Sequence, residues 1–154
     1  MFRQKIQSRQ LYLVENDVVA DQGVMEEGKW KDVFDLKLEK GNYPPYSKRS
    51  LPNPWIKYYN LTKLPLVNSV TVNQVSTDEN FIEILKKKYD PYLESMEGAA
   101  LHYVCRQTNT PFLQVRAVSN FIGERDKTKW DFQNSIQNIN DFIMKYVEKL
   151  YKVK

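Results

Sequence analysis

Two apolar periods alternate along this chain. The run Leu11 to Ala20, Leu-Tyr-Leu-Val-Glu-Asn-Asp-Val-Val-Ala, is rich in β-formers and predicts one or two strand pieces. From Ser69 to Val75 the pattern places Val70 and Val72 on one face, the period of a strand. Ser76-Thr77-Asp78-Glu79 then reads as a helix start, with Ser76 and Glu79 at capping-box spacing. Phe81, Ile82 and Leu85 form the expected buried stripe, and Asp90-Pro91 ends that helix. Tyr92 to Ser95 reads as a short extended piece. Gly98 to Gln107 predicts a helix with Ala99, Ala100, Tyr103 and Val104 inward. Pro111 to Ser119 predicts a buried strand through Phe112, Leu113, Val115, Ala117 and Val118. In the last helix, from about Asp131 to Lys152, Phe132, Ile136, Ile139, Ile143, Val147 and Leu150 recur at helical spacing.

The intervening stretches are less regular. Gly23 and Gly28 punctuate the chain, and Trp30 to Leu38 fits a short helix or a packed loop. Between Gly41 and Pro65, Pro44, Pro45, Pro52, Pro54 and Pro65 oppose long regular elements. Tyr43, Tyr46, Trp55, Tyr58 and Tyr59 lie in the same stretch and argue against a free linker, so an ordered, irregular excursion is expected at the edge of one domain. No internal repeat is visible. The order strand, helix, strand, helix, strand, helix predicts an α/β layered fold with residues 1–154 in one domain. Ligands of such folds sit at the carboxyl ends of strands, which directs attention to the loops after Ser95 and Ser119.

Composition narrows the chemistry. The chain has 154 residues, 42% apolar and 13% aromatic, enough for a packed core. The net charge of +4 is spread along the chain. Its densest clusters, Lys86-Lys87-Lys88 and the tail from Lys145, fall on amphipathic helices, where lysine is normally the wet face. A nucleic-acid-binding domain, which would need basic residues on one face with exposed aromatics, is therefore disfavoured. One cysteine, Cys105, forbids an intrachain disulfide and reads as a buried structural thiol. With His102 the single histidine, neither a zinc site nor a Cys–His nucleophile is supported, and no metal or cofactor is expected. The polar start, without an apolar h-region or a membrane-length run, makes the cytoplasm the default location.

Two motifs carry the functional signal. Glu94-Ser95-Met96-Glu97-Gly98-Ala99-Ala100 sits where a short strand hands over to a helix, and Arg116-Ala117-Val118-Ser119-Asn120 closes the next strand. This pairing resembles the nucleoside phosphorylase and nucleosidase superfamily. Val70 to Thr77, Leu51 to Pro54 and Gly123 to Trp130 look like its futalosine hydrolase branch. The resemblance runs from about residue 11 to 150. It implies a three-layer αβα fold with a mixed sheet, and a hydrolase that cleaves the N-glycosidic bond of futalosine and releases hypoxanthine on a route to menaquinone. It assigns the ribose to Met96 and Glu97 and the purine to Asn120, with the Val75, Ser76 and Thr77 loop beside it. Chemically, a carboxylate at position 97 can accept hydrogen bonds from both ribose hydroxyls and lies near the developing oxocarbenium charge. The resemblance also brings an inherited expectation of a homo-oligomer.

The sequence departs from the family in two ways. Asn120 stands where the best-known nucleosidases carry aspartate; a neutral amide can donate to the purine N7 but cannot protonate it. Glu124 and Asp126 follow closely enough to lie near the base. Second, the family's first strands and Gly-rich turn, which supply part of the ribose site and an acid that activates water, have no counterpart here, and Met1 to Gln10 offers no replacement. The expectation is an N-terminally incomplete fold with exposed strand edges. The alternative function is a non-catalytic nucleoside-binding or interaction module built on the same fold.

Overall fold

The computed structural model describes residues 11–152; the reading of Met1 to Gln10 lies outside them. A mixed sheet is built around β1 (Leu11–Val19). Along one edge of β1 runs β5 (Leu66–Thr71), parallel, followed by the parallel β6 (Leu93–Ser95). Two short antiparallel strands share the other edge. β7 (Val115–Ala117) pairs with Leu11 to Leu13, and β4 (Leu51–Pro52) pairs with Asn16 and Asp17. A register shift between Val14 and Asn16 separates these two partners, as a bulge does where a strand changes neighbour.

Helices lie on both faces. The sheet register puts Val70 on one face with Asn68 and Val18, and α2 (Glu79–Tyr89) covers it, packing Leu85 against Ala20, Val70 and Val72. The opposite face carries Val14, Asp17, Ser69 and Thr71, beneath α3 (Gly98–Gln107). The last helix, α4 (Phe132–Lys152), packs along β7, with Ser135 Oγ donating to Val118 O (2.7 Å) and Tyr146 Oη to Tyr59 O (2.9 Å).

Several sequence expectations need correction. The strand expected over Ser69 to Val75 begins earlier and stops at Thr71. The cap of α2 is Asp78, whose carboxylate accepts from Phe81 N (2.7 Å), and not Ser76. The helix ends as expected: Asp90 takes the left-handed conformation before Pro91. Trp30 belongs to neither a helix nor a loop but to a hairpin of β2 (Gly23–Glu26) and β3 (Lys29–Asp32). Its two-residue turn has φ of +51° at Glu27 and +72° at Gly28, the backbone a type I′ turn demands. Residues 33–38 fold as turns tied to Asp32, whose Oδ1 accepts from Phe34 N and Asp35 N. The Pro-rich excursion is ordered and contributes β4 and the single-turn α1 (Ile56–Tyr59). The long strand expected over Pro111 to Ser119 narrows to β7.

Two helices bury other faces than periodicity suggested. In α3 the buried residues are Gly98, Ala99 and His102, while Ala100, Tyr103 and Val104 face outward. The reason is that the sheet beneath is polar, so the helix turns a histidine toward it. Cys105 is half-buried. In α4 no residue is buried, and Ile136 and Ile143 are 58% and 49% exposed. Its apolar stripe exists, but among the described residues only Ile139 of it is half-buried. No described helix is long and apolar enough to cross a membrane.

Candidate functional site

β6 and β7, with Val75 from the loop after β5, line one cleft of about 310 Å³. Its wall includes Val75, Glu94, Met96, Arg116 and Asn120, with Trp130 and Phe132 arriving from the loop before α4. β5 and β6 run parallel, so the loop after Thr71 and the turn after Ser95 emerge on the same side of the sheet. The two aromatic rings pack edge to face at 5.3 Å, and Arg125 sits over Trp130 at 5.7 Å, giving the cleft an aromatic side suited to a flat heterocycle.

The sequence-derived residues do not all meet there. Met96 and Val75 line the cleft and are exposed. Asn120 lines it too, with its oxygen accepting from Ser119 Oγ (2.7 Å) and its nitrogen donating to Phe121 O (3.0 Å). Glu97 lies outside the lining, but its carboxylate reaches the cleft's Arg116 at 3.7 Å. Glu97 occupies the N-cap position of α3 without capping it, and its side chain is 75% exposed. Ser76 is buried and does not line the cleft; its backbone N–H donates to Glu94 Oε1 (3.2 Å). Thr77 is not brought to the cleft; it lines a neighbouring depression with Phe121 and Gly123. Glu124 lines the cleft but is ion-paired to Lys129 (2.9 Å), which holds its carboxyl below the usual range. Asp126 is outside the lining and caps the turn at 127–129 by accepting from Thr128 N (3.0 Å).

Beneath the cleft lies a buried polar network that the sequence reading missed. Asp17 is fully buried and accepts from Thr71 Oγ1 (2.8 Å). The same hydroxyl accepts from Ala99 N (2.8 Å), and Ser95 Oγ accepts from Gly98 N (3.2 Å), fixing the start of α3. The Gln114 amide, with its nitrogen toward His102, donates to His102 Nε2 (2.8 Å) and Asp17 Oδ2 (3.3 Å) and accepts from Arg116 Nε (3.1 Å). The ring of His102 donates from Nδ1 to Leu51 O (2.7 Å). Burial pushes the Asp17 carboxyl up to about 6, against the pull of Thr71, Gln114 and Arg116. Burial likewise lowers His102 to about 4, so the ring is neutral at pH 7. One signal pointed here: Asp17 is a carboxylate on an apolar strand, at the same inward parity as its buried neighbours once the bulge is counted. Among the described residues no cluster of ligating side chains could hold a metal ion.

The chain belongs to the phosphorylase superfamily, whose family model matches residues 69–152. It is 29% identical over 83 residues to the 5'-methylthioadenosine/S-adenosylhomocysteine nucleosidase of Bacillus cytotoxicus, a match covering 52% of this chain and 36% of that protein. Its fold matches futalosine hydrolase of Helicobacter pylori at a TM-score of 0.72 and 15% identity. It also matches the Helicobacter pylori 5'-methylthioadenosine/S-adenosyl homocysteine nucleosidase at 0.70 and 16%. Each of these alignments covers 96% of this chain and 64% of the relative's structure. The chain thus spans about a third of the curated relative and under two thirds of the solved ones.

Proposed function

We propose that this chain is a purine nucleosidase of the futalosine hydrolase type, cleaving an N-glycosidic bond and releasing hypoxanthine. The observation that carries the reading is the meeting of Met96, Arg116 and Asn120 in one aromatic-walled cleft, with Glu97 ion-paired at its edge. In the reaction the C1′–N9 electron pair leaves with the purine, the oxygen of a water bonds to C1′, and a proton passes to the base. Glu97 accepts from the ribose hydroxyls and places negative charge near the cationic sugar. Arg116 orients that carboxylate, and Met96 supplies a soft surface for the sugar. Trp130 stacks on the base while Asn120 donates to it.

A hypoxanthine-release assay on futalosine tests this. Glu97→Ala is expected to lower kcat/KM by about a hundredfold, the loss of charge-assisted bonds to a diol. Unchanged turnover in the variant would refute the role of Glu97. The neutrality of Asn120 favours a second reading, nucleoside binding without turnover, because losing a general acid typically costs about 10²–10⁴ in rate. Binding measured beside release separates the two: saturable binding with no hypoxanthine formed selects the second.

A further inference from the structure

Gln114 stands one residue before β7, is buried and does not line the cleft, yet it bonds to Arg116, which does. The direction of its amide is dictated from behind. The Leu51 carbonyl, 2.7 Å from His102 Nδ1, can only accept, so that nitrogen carries the ring proton. Burial keeps the ring neutral, which leaves Nε2 a bare acceptor. Gln114 must therefore present its NH2 group to Nε2 (2.8 Å), and the second amide hydrogen goes to Asp17 Oδ2 (3.3 Å). The amide oxygen is thereby turned the other way, where it accepts from Arg116 Nε (3.1 Å). The imidazole at the base of this chain is itself packed edge-on against Phe112, with ring centres 4.6 Å apart.

We propose that Gln114 is a positioning residue for ribose recognition, holding the Arg116 guanidinium by its Nε so that a terminal nitrogen keeps the Glu97 carboxylate in place for a ribose diol. The proposal rests on the nucleosidase reading above. Arginine is a long, flexible side chain, and Glu97 is largely exposed, so their contact at 3.7 Å fixes little by itself. A bond at Nε fixes the plane of the guanidinium and with it the direction of both terminal nitrogens. The anchor is firm because the amide is held in turn by a fully buried ring and a fully buried carboxylate. Binding groups set in position before the ligand arrives lose less freedom when it binds.

Gln114→Met keeps the length of the side chain and removes its acceptor and its donors. Hypoxanthine release by the full chain from futalosine and from its 2′-deoxy analogue provides the test. Q114M is expected to lose about tenfold in kcat/KM on futalosine, the worth of one hydrogen bond to a charged group. It should lose much less on the 2′-deoxy analogue, whose diol is already broken, whereas a general packing defect would lower both alike. If the nucleosides bind without turnover, the same comparison is read in Kd. Equal losses on the two ligands, or no loss on futalosine, overturn the role of Gln114 and leave the nucleosidase reading in place. A wild type that neither binds nor cleaves futalosine overturns both. If Q114M fails to fold, nitrogen-15 NMR of the wild type decides. His102 is expected to carry its proton on Nδ1, and the Arg116 Nε–H to exchange with water more slowly than that of the exposed Arg125. A proton on Nε2, or equal exchange at the two arginines, overturns the proposal.

Discussion

Replacing Asp17 by asparagine should change how stability depends on pH, and the sign follows from the network around it. The Asp17 carboxyl titrates at about 6 in the folded protein, against 3.8 for an unperturbed aspartate. The folded chain therefore holds this proton more tightly than the unfolded chain. Its favourable contribution is complete below pH 3.8 and is lost as pH rises through 6, a change of about 3 kcal/mol to order of magnitude. His102 does the opposite. With its folded value near 4 against 6.5, its contribution is complete above 6.5 and is lost as pH falls through 4, again by about 3 kcal/mol. In the wild type the two nearly cancel between pH 4 and 6. The amide introduced by D17N keeps the hydrogen bond from Thr71 and forfeits the long one from Gln114, a pH-independent offset. What remains is the His102 slope alone. Urea denaturation followed by tryptophan fluorescence at pH 4, 5, 6 and 7 should show D17N gaining on the wild type by about 3 kcal/mol from pH 4 to above pH 6. A stability difference that stays constant across that range would refute the assignment of a charged, poorly solvated carboxylate to this position.

Other outcomes follow from the packing. A Cβ at Gly98 would lie 2.4 Å from Asp17 Oδ2 and from the Gln114 amide, groups already pinned by their bonds. Gly98→Ala is therefore expected to destabilise by about 1–3 kcal/mol, with partial relief in the D17A background. Thermal melts of the four proteins in that cycle check it, and strict additivity would count against the contact. Leu85→Ala opens a cavity against Ala20, Val70 and Val72 and should cost about 2–5 kcal/mol by denaturant titration. Asp78→Ala removes the cap of α2 and should cost about 1 kcal/mol, whereas Ser76→Ala should not show a capping loss. Equal capping losses at both positions would restore the sequence-derived cap.

Much of the architecture was legible before any coordinates. The strand at Leu11, the helices beginning at Gly98 and near Asp131, the stop at Asp90-Pro91 and the ordered Pro-rich excursion all follow from local features. Backbone preferences, proline geometry and apolar periodicity act over a few residues, so a single sequence displays them. The Met-Glu and Arg-x-x-Ser-Asn motifs were visible at the ends of predicted strands, and it was the resemblance to the superfamily that paired them.

Which face a helix buries was not visible, because that depends on what lies beneath it. α3 turns His102 inward since Asp17, Thr71 and Gln114 form a polar floor, contributed by residues far apart in the chain. The same holds for Glu94, whose committed oxygen depends on a loop eighteen residues upstream. The amino-acid order by itself determined the elements and the chemistry available at their ends. Only the tertiary structure decided which carboxylates are satisfied and which are strained by burial, because hydrogen bonding and desolvation are properties of groups brought together across the sheet.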